Sequence, residues 1–397
     1  MNDIVILVGG KGSRLGKLTK KNPKPLIKIK DKRFLDIILS KLIRYNFKNI
    51  YLLCSFKKKK FFSIYNNKKI HNSKIICIDE GNPKDTGGAL FKLRKRIKNS
   101  FFCINGDTFF DIDYNLLKIK KDEKQICNIA ITNNNNYKKN SKVNNLSLTK
   151  KGLIQYSNKK TKLMNGGVYF FKKKIFKYIP NKKISLENDI FKILIYKKKI
   201  KGIFFKDKFI DIGSKNNLSY LKKNPYLVKQ KAAFLDRDGV INRLIKSGYV
   251  ENYKQLKLLK GVVDGIKFLN QNGYLTILVT NQSCVGRSII SEKKLNRIHL
   301  LLQKYLKKRN NSYFDDIFYS PYYKYSKSKK YRLNSFDRKP NPGMLIKAIL
   351  KWNIDLKSSF FIGDSKTDFM AAKKVGVKFY YKDKVSLLNQ FKKILNR

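Results

Sequence analysis

The sequence predicts an α/β protein with two domains, and two observations support this prediction. Short apolar runs alternate with amphipathic segments, and the alternation occurs twice along a chain of 397 residues, a length that suggests two or three domains. The periodicity breaks near residues 222–231, where Lys-Lys-Asn-Pro interrupts it. We therefore expect domains at residues 1–225 and 231–397, each built on a mainly parallel sheet.

The first domain contains apolar runs typical of strands and longer periodic segments typical of helices. The predicted strands are residues 4–8, 50–54, 75–79, 101–105, 168–171 and 202–205. The predicted helices are residues 34–45, 88–97 and 186–196. Residues 133–145 are polar and rich in asparagine, which indicates a loop or a hairpin.

The second domain repeats this alternation. The predicted strands are residues 232–235, 276–280, 317–319 and 360–362. The predicted helices are residues 262–272, 292–309, 343–352 and 367–375. Because ligands of such sheets bind at the carboxyl ends of the strands, motifs at those positions are candidate sites.

The charge is strongly positive, with 90 Lys and Arg against 27 Asp and Glu and a net charge of +63. It indicates either a nucleic-acid or membrane-surface binder or compositional drift, since AT-rich codons favour Lys, Asn, Ile, Tyr and Phe. The lysines run through the whole chain without a nucleic-acid motif. We favour drift and expect small-molecule partners, neither nucleic acid nor membrane, although such a surface would still attract phosphorylated substrates.

The five cysteines form no CxxC pair, and the chain has two histidines. This pattern disfavours a disulfide framework and a Cys/His zinc site. No apolar run reaches the roughly 18–20 residues that span a bilayer, and the N-terminus lacks the features of a signal peptide. We therefore expect a cytoplasmic protein.

A glycine-rich loop, GGKGSRL, follows the first predicted strand, and Pro-Lys-Pro follows at residues 23–25. Glycines at such a turn let backbone N–H groups approach phosphates closely. Together with NPKPLI, TGGAL, NGDTFFDID, NGGVYFF and FIDIGS, this pattern resembles the sugar-phosphate nucleotidyltransferases over about residues 3–222. Within that family it is most similar to the D-glycero-D-manno-heptose 1-phosphate guanylyltransferases.

The resemblance implies a Rossmann-like, glycosyltransferase-A-like sheet and a reaction that joins a sugar 1-phosphate to a nucleoside triphosphate. Arg14 and Lys24 match the residues that hold the triphosphate and the attacking phosphate. Asp107 and Asp211 match the magnesium ligands, and carboxylates with phosphate oxygens suit this hard ion. The protein's part is to neutralise and align two anions.

The resemblance also assigns residues to the nucleotide and the sugar. The matched nucleotide-binding positions are Gly9, Gly10, Gly12, Ser13, Glu80, Gly87 and Gly88. Glu80 would accept from guanine, which favours GTP, and Gly87 and Gly88 would lie under the ribose and base. The matched sugar-binding positions are Asn165, Gly166 and Glu187.

Two features of the sugar site leave alternatives open. Glu187 beside Ser185 also fits a helix N-terminal charge. The family's Glu-Lys sugar motif is reduced here to Asn158-Lys159. The identity of the sugar therefore stays open.

The second domain begins with a buried strand that ends in Asp236 and continues to Asp238. Two carboxylates at this spacing can act as nucleophile and as acid/base. Thr-Asn-Gln at 280–282, Arg-Lys-Pro at 338–340, and Asp364 with Asp368 follow in order. This set resembles the haloacid-dehalogenase phosphatases over about residues 231–397. FLDRDGVIN, GYV, VTNQS and RKPNPGM are most similar to the D,D-heptose 1,7-bisphosphate phosphatases and their histidinol-phosphatase relatives.

This second resemblance implies a Rossmann-like domain with a minimal cap and a two-step hydrolysis. Asp236 would attack phosphorus, and Asp238 would protonate the leaving oxygen and then activate water. Magnesium would be held by Asp236, Asp364 and the backbone carbonyl of Asp238. The matched positions for phosphoryl binding and for orienting the substrate are Thr280, Lys339, Asn281, Arg287 and Arg338. Asp368 would support this site from behind.

The bisphosphate phosphatases commonly carry a zinc loop of cysteines and a histidine. The corresponding residues here are Ser320, Tyr322, Ser335 and Asp337. None of the soft ligands remains, so we predict no structural zinc. Tyrosines at 319, 322, 323, 325 and 331 would pack the loop instead.

The two resemblances together imply consecutive reactions. The phosphatase would remove the 7-phosphate of a heptose 1,7-bisphosphate, and the transferase would couple the heptose 1-phosphate to GTP, giving GDP-heptose for cell-surface glycans such as lipopolysaccharide. The alternatives are another sugar phosphate or nucleotide, a single active half, or a basic binding protein with inactive enzyme domains. The sequence leaves the oligomeric state open.

Overall fold

The computed structural model describes residues 2–45, 47–133 and 144–396. The chain divides into two compact units, Met1–Val228 and Lys229–Arg397. Within the described ranges, we find no helix with the length and apolar character that a membrane crossing requires.

The first unit contains fourteen strands and six helices in its described residues. The strands are β1 (Asp3–Leu7), β2 (Lys28–Ile29), β3 (Lys32–Arg33), β4 (Asn49–Cys54), β5 (Lys69–Ile70), β6 (Ser73–Asp79), β7 (Phe101–Asn105), β8 (Thr108–Phe110), β9 (Cys127–Thr132), β10 (Asn144–Leu148), β11 (Ile154–Thr161), β12 (Met164–Phe171), β13 (Ile200–Phe204) and β14 (Phe209–Asp211). The helices are α1 (Lys17–Lys21), α2 (Phe34–Leu42), α3 (Lys58–Tyr65), α4 (Asp85–Phe91), α5 (Phe191–Tyr196) and α6 (Lys215–Lys223).

Its main sheet has eight strands in the order β13-β9-β12-β7-β1-β4-β6-β5. The sheet is mixed, because β12 runs antiparallel to both β7 and β9, and β5 runs antiparallel to β6. A parallel pairing needs a crossover, usually a helix. Between β9 and β12 the described residues form the β10–β11 hairpin instead. The expectation of a mainly parallel sheet therefore holds for strands β1, β4, β6 and β7 and for the β13–β9 pair, but not for β12 and β5.

Both faces of this sheet are buried, which explains why its strands are continuous apolar runs. Along β1, Ile4 and Ile6 face the hydrophobic cluster that contains α2. Val5 faces the opposite cluster, which contains residues of α4 and α5. The sheet thus lies between two helical layers, and the carboxyl end of β1 opens toward the glycine loop.

The second unit is built on one parallel sheet in the order β17-β16-β15-β18-β19. Its strands are β15 (Ala232–Leu235), β16 (Leu275–Asn281), β17 (Asp316–Ser320), β18 (Phe360–Gly363) and β19 (Lys378–Tyr381). Its helices are α7 (Val262–Gln271), α8 (Glu292–Asn310), α9 (Gly343–Trp352), α10 (Lys366–Val375) and α11 (Leu387–Leu395). The central strand β15 is buried along its whole length, so Asp236 leaves the middle of the sheet.

The helix predicted at residues 88–97 instead begins at Asp85 and ends at Phe91. The helix predicted at 186–196 opens as a π turn, Leu186–Ile190, before α5. Residues 134–143 of the predicted polar excursion lie outside the described part of the chain, and β10 begins directly after them.

Candidate active sites

In the first unit, the glycine loop after β1 forms one wall of a cavity of about 590 Å³. Gly9 and Gly10 line it, and Glu80 lies directly opposite Gly9. A Cβ atom on Gly9 would approach Glu80 Oε1 to 2.6 Å, so a side chain there would displace the Glu80 carboxyl group. Gly12 has φ +67°, a left-handed conformation that also favours glycine. The sequence therefore folds the loop tightly against the end of β6.

Lys24 and Asp107 meet on the floor of this cavity. The Lys24 Nζ donates to Asp107 Oδ2 at 2.7 Å, and the lysine side chain is 10% exposed. Pro23 precedes the 3-10 turn Lys24–Leu26, which fixes the lysine backbone. A buried lysine that reaches a carboxylate can also reach a phosphate, so the pair can bind an anion and a cation side by side.

Asp211 is held beside Asp107 by a short antiparallel pair. β14 pairs with β8, and the N–H of Ile212 donates to the carbonyl of Asp107 at 3.0 Å. Burial and the charge of Asp107 raise the pKa of Asp211 to about 6, although Lys24 and Arg14 oppose the effect. Carboxylates that repel each other in this way fit a hard divalent cation.

Ser13 and Arg14 are both exposed and do not line the cavity. The charge of Arg14 nevertheless acts on the Asp211 carboxyl. Arg14 therefore lies at the mouth of the site, where a polyphosphate chain could reach it.

Glu80 is 6% exposed and directly follows β6, with its N–H donating to the carbonyl of Cys54 at 2.9 Å. Burial, and then the charge of Asp79, raise the pKa of Glu80 to about 7. A buried carboxyl with few fixed partners is poised to accept from a ligand's N–H groups.

The structure does not bring Gly87 and Gly88 to the cavity wall. Their N–H groups donate to the carbonyl of Ile184 at 2.9 and 3.1 Å. A Cβ atom on Gly88 would approach the carbonyl oxygen of Lys182 to 2.5 Å. These glycines let α4 pack against the 182–184 segment, and their neighbour Thr86 lines the cavity instead.

Glu187 lines the cavity and belongs to a polar network. Its Oε2 accepts from Thr86 at 2.8 Å and from Ser185 at 3.2 Å, and its Oε1 accepts from Tyr169 at 3.2 Å. Tyr169 in turn accepts from Asn165 Nδ2 at 3.0 Å. Glu187 therefore lies in the first turn of a helix and also lines the cavity, and its contact with the sugar stays a prediction.

Two further positions that the sequence analysis assigned to the sugar are Gly166 and Asn158. Gly166 is buried, and a Cβ atom there would lie 2.5 Å from Phe110 Cε1, so this glycine serves packing. The side chain of Asn158 lies outside the described residues. The cavity also contains Asn105 and Lys183, which the sequence did not single out although Asn105 belongs to the NGD motif.

In the second unit, Asp236 emerges from β15 and is 7% exposed. Lys339 Nζ lies 2.7 Å from Asp236 Oδ1, 2.6 Å from Asp368 Oδ1 and 2.9 Å from the carbonyl of Val279. Burial raises the pKa of Asp236, as does the charge of Asp368, whereas Lys339 opposes this effect. The positive charge of the buried Lys339 thus offsets the negative charges of two carboxylates, Asp236 and Asp368.

Asp364 completes a group of three carboxylates with Asp236 and Asp368, whose ligand atoms lie within 4.8 Å of one another. Gly239, at φ +85°, makes room for it: a Cβ there would lie 1.9 Å from Asp364 Oδ2. Three carboxylates face one ammonium group, so the cluster keeps excess negative charge. Such an oxygen-donor set fits Mg²⁺.

Asp368 is fully buried and its Oδ2 accepts from Ser365 Oγ at 2.7 Å and from two backbone N–H groups at 3.2 Å. Its other oxygen faces Lys339. These contacts fit a residue that supports the site.

Four side-chain nitrogen atoms, from three residues, donate hydrogen bonds to the Asp238 carboxylate. The sequence analysis did not identify these three residues as a group. Arg237, fully buried, binds both of its oxygens at 2.9–3.2 Å. Gln282 Nε2 and Asn242 Nδ2 each donate to it at 2.8 Å. Burial raises the pKa of Asp238, but Arg237 and these hydrogen bonds outweigh it and the pKa lies below its usual value.

His299 lies behind Arg237, where its Nε2 accepts from the guanidinium at 3.3 Å. Burial and the arginine charge lower the pKa of His299 to about 3, so the ring is neutral. The sequence analysis did not assign His299 a place in the site, and the one feature that could have drawn attention to it is that the chain has only two histidines.

Thr280 and Asn281 end β16 beside this group. Thr280 Oγ1 accepts from Gln282 Nε2 at 2.9 Å. Asn281 exchanges two hydrogen bonds with the backbone of Lys339, each 3.0 Å long. Asn281 therefore fixes the backbone that presents Lys339.

Arg287 and Arg338 both contact the segment after β17. The Arg287 guanidinium lies 3.9 Å above the ring centre of Tyr323, and Arg338 donates to the carbonyl of Tyr322 at 3.3 Å. Arg287, from the turn after β16, and Arg338 thus both contact the same short segment, Tyr322 and Tyr323.

At the positions of the family's zinc ligands, Ser335 Oγ accepts from the N–H of Asp337 at 3.1 Å, and Asp337 pairs with Lys347. In the described part of the chain, Asp236, Asp364 and Asp368 are the one group of three or more potential metal-ligating side chains. That the protein lacks a structural zinc stays a prediction.

Comparison with known families gives two matches. The nucleotidyl transferase family matches residues 3–228, which is more than half of the chain. The haloacid dehalogenase-like hydrolase family matches residues 331–382.

Three relatives illustrate these similarities. The D-glycero-alpha-D-manno-heptose 1-phosphate guanylyltransferase of Campylobacter jejuni is 36% identical over 215 residues, 53% of this chain and 93% of the relative. The D-glycero-beta-D-manno-heptose-1,7-bisphosphate 7-phosphatase of Rhodopseudomonas palustris is 36% identical over 149 residues, 38% of this chain and 81% of the relative. A D-glycero-alpha-D-manno-heptose-1,7-bisphosphate 7-phosphatase of Photorhabdus laumondii is 34% identical over 149 residues, 38% of this chain and 80% of the relative.

Proposed function

The chain belongs to the nucleotidyl transferase family, and we propose that it is a bifunctional enzyme that makes a GDP-activated heptose from a heptose 1,7-bisphosphate. One observation carries this proposal. Each unit holds its own cluster of carboxylates and basic groups, and relatives of the two units act on related heptose phosphates.

The second unit would act first and remove the 7-phosphate. Asp236 attacks phosphorus and forms an aspartyl-phosphate, while Lys339 balances the charge between nucleophile and phosphoryl group. Asp238 gives a proton to the leaving sugar oxygen and then takes one from water, which hydrolyses the intermediate. Because four donors hold Asp238 as an anion, it must loosen from some of them as it takes up its proton.

The first unit would then use the heptose 1-phosphate. An oxygen of this phosphate attacks the α-phosphorus of GTP and pyrophosphate leaves. Lys24 and Arg14 would neutralise the phosphates, and the glycine loop would offer its N–H groups. Glu80 would accept from the guanine N1–H and N2–H₂, which explains a preference for GTP.

Magnesium fits both sites. Asp107 and Asp211 would hold it in the first unit, and Asp236 with Asp364 in the second. The ion would supply charge neutralisation on phosphoryl oxygens.

The anomer follows from joining the two reactions. The matched transferase is named for the alpha heptose 1-phosphate, whereas the matched phosphatases include both beta and alpha enzymes. Removal of the 7-phosphate leaves the anomeric centre unchanged. We therefore propose the alpha 1,7-bisphosphate as the substrate, and a cytoplasmic reaction because GTP is supplied there.

A one-pot assay tests the proposal. The full chain is incubated with Mg²⁺, GTP and D-glycero-α-D-manno-heptose 1,7-bisphosphate, with ATP, CTP and UTP in parallel. We expect release of phosphate, then pyrophosphate, and a GDP-heptose mass with GTP alone. Phosphate release without a nucleotide product would contradict the transferase half, and release of neither would contradict both.

A further inference from the structure

One loop of the second unit is held together by a carboxylate. This tyrosine loop (residues 321–342) connects β17 to α9, and every residue in it is described and lies outside helices and strands. Glu292, at the start of α8, accepts from Tyr331 at 2.8 Å, from Lys330 at 3.0 Å and from Tyr319 at 3.1 Å. These bonds lower the pKa of Glu292, so the carboxylate stays charged.

The middle of the loop, which Glu292 anchors, holds the first residues of the loop in place. The N–H of Tyr323 donates to the carbonyl of Tyr331 at 3.0 Å, and the N–H of Gly286 donates to the carbonyl of Pro321 at 3.0 Å. A Cβ on Gly286 would lie 2.6 Å from that carbonyl oxygen and 3.0 Å from Tyr323 Cβ. The loop therefore lies directly on the turn that carries Arg287.

Two arginines converge on this loop. The Tyr323 ring supports the Arg287 guanidinium at 3.9 Å, and the carbonyl of Tyr322 holds Arg338 at 3.3 Å. Burial and the charge of Arg287 lower the pKa of Arg338. The two positive charges therefore act on each other, and an anion bound beside them would offset their repulsion. Arg338 directly precedes Lys339, which contacts the nucleophile.

We propose that Glu292, Tyr331 and Tyr323 are positioning residues that hold Arg287 and Arg338 for a second anionic group of the substrate, remote from the phosphate that reacts at Asp236. This inference rests on the proposed bisphosphate substrate. The chain of contacts runs from the carboxylate through Tyr331 to Tyr323 and ends on the Arg287 guanidinium.

The main test is Tyr323→Leu in the full chain. We expect the KM for the heptose 1,7-bisphosphate to rise about tenfold, because the ring under Arg287 is lost. The kcat, and the hydrolysis of p-nitrophenyl phosphate, which has a single phosphate, should change less than about twofold, since Asp236 and Lys339 are untouched. Tyr323→Phe keeps the ring and should restore the KM. Tyr305→Leu is the matched control, because Arg309 lies over that ring at 5.5 Å on α8.

Glu292→Gln tests the other end of the chain of contacts. Loss of the Glu292 charge should raise the KM for the heptose 1,7-bisphosphate about threefold and leave p-nitrophenyl phosphate hydrolysis unchanged. The control is Asp264→Asn, in the first turn of α7, which should leave both reactions unchanged. An unchanged bisphosphate KM in Tyr323→Leu, or equal losses on both substrates, would overturn the inference. A wild-type protein that hydrolyses p-nitrophenyl phosphate but not the bisphosphate would instead overturn the proposed function.

Discussion

The two candidate sites differ in how completely the protein pairs their charges. In the second unit, Lys339 and Asp236 are 3% and 7% exposed, and the lysine already contacts two carboxylates. In the first unit, the Asp107 side chain is 26% exposed and Arg14 is exposed. A site for one phosphoryl group can be assembled in advance, whereas an open cavity of about 590 Å³ must admit a nucleotide and a sugar that complete it.

The sharpest separation of the two sites is Asp236→Asn. We expect at least about a thousandfold loss of phosphate release, because an amide is no nucleophile toward phosphorus. Pyrophosphate release from heptose 1-phosphate and GTP should persist. If a folded variant lost both reactions, the sites would not be independent.

The reverse experiment is Asp107→Ala. Pyrophosphate release should fall about a hundredfold or more, since a cation ligand and the partner of Lys24 are lost together. Release of phosphate from the bisphosphate serves as the internal control. Retained pyrophosphate release in this variant would remove Asp107 from the site.

The substitution Arg237→Met removes the ion pair between Arg237 and Asp238 in the second unit. It removes the fully buried guanidinium and leaves the partly buried Asp238 carboxylate without its main partner, so the free energy of unfolding of this unit should fall by about 2 kcal/mol. Urea unfolding of the variant beside Arg309→Met, an exposed arginine on α8, measures the difference. Equal urea midpoints for the two variants would show that the ion pair between Arg237 and Asp238 contributes no net stability.

The buried carboxyl of Glu80 in the first site predicts a pH dependence of GTP binding. Burial raises the pKa of Glu80 to about 7, and only its charged form accepts from guanine. Protonation below pH 7 should therefore raise the KM for GTP up to about tenfold per pH unit. Glu80→Gln should abolish this slope. A KM for GTP that stays flat from pH 8 to pH 6 in the wild type would argue against base recognition by Glu80.

Local sequence patterns were sufficient to place a candidate site residue where its motif directly follows or ends a strand. Asp236 after β15, Thr280 in β16 and Asp364 after β18 lie at neighbouring strand ends, because parallel strands bring their carboxyl ends to one edge of the sheet. The glycine loop after β1 reaches the cavity of the first unit in the same way. In these cases a short apolar run fixes the strand, and the residue after it reaches the site.

The sequence by itself thus predicted two α/β units, their order and most of the charged residues that the fold brings together in the two candidate sites. Tertiary structure decided that Gly87 and Gly88 pack against the 182–184 segment, and that β12 runs antiparallel. It also brought His299 to Arg237 and Glu292 to Tyr331. Hydrophobic periodicity reports which face of an element is buried, whereas these contacts join residues far apart in the chain, and only the packed fold determines which of them meet.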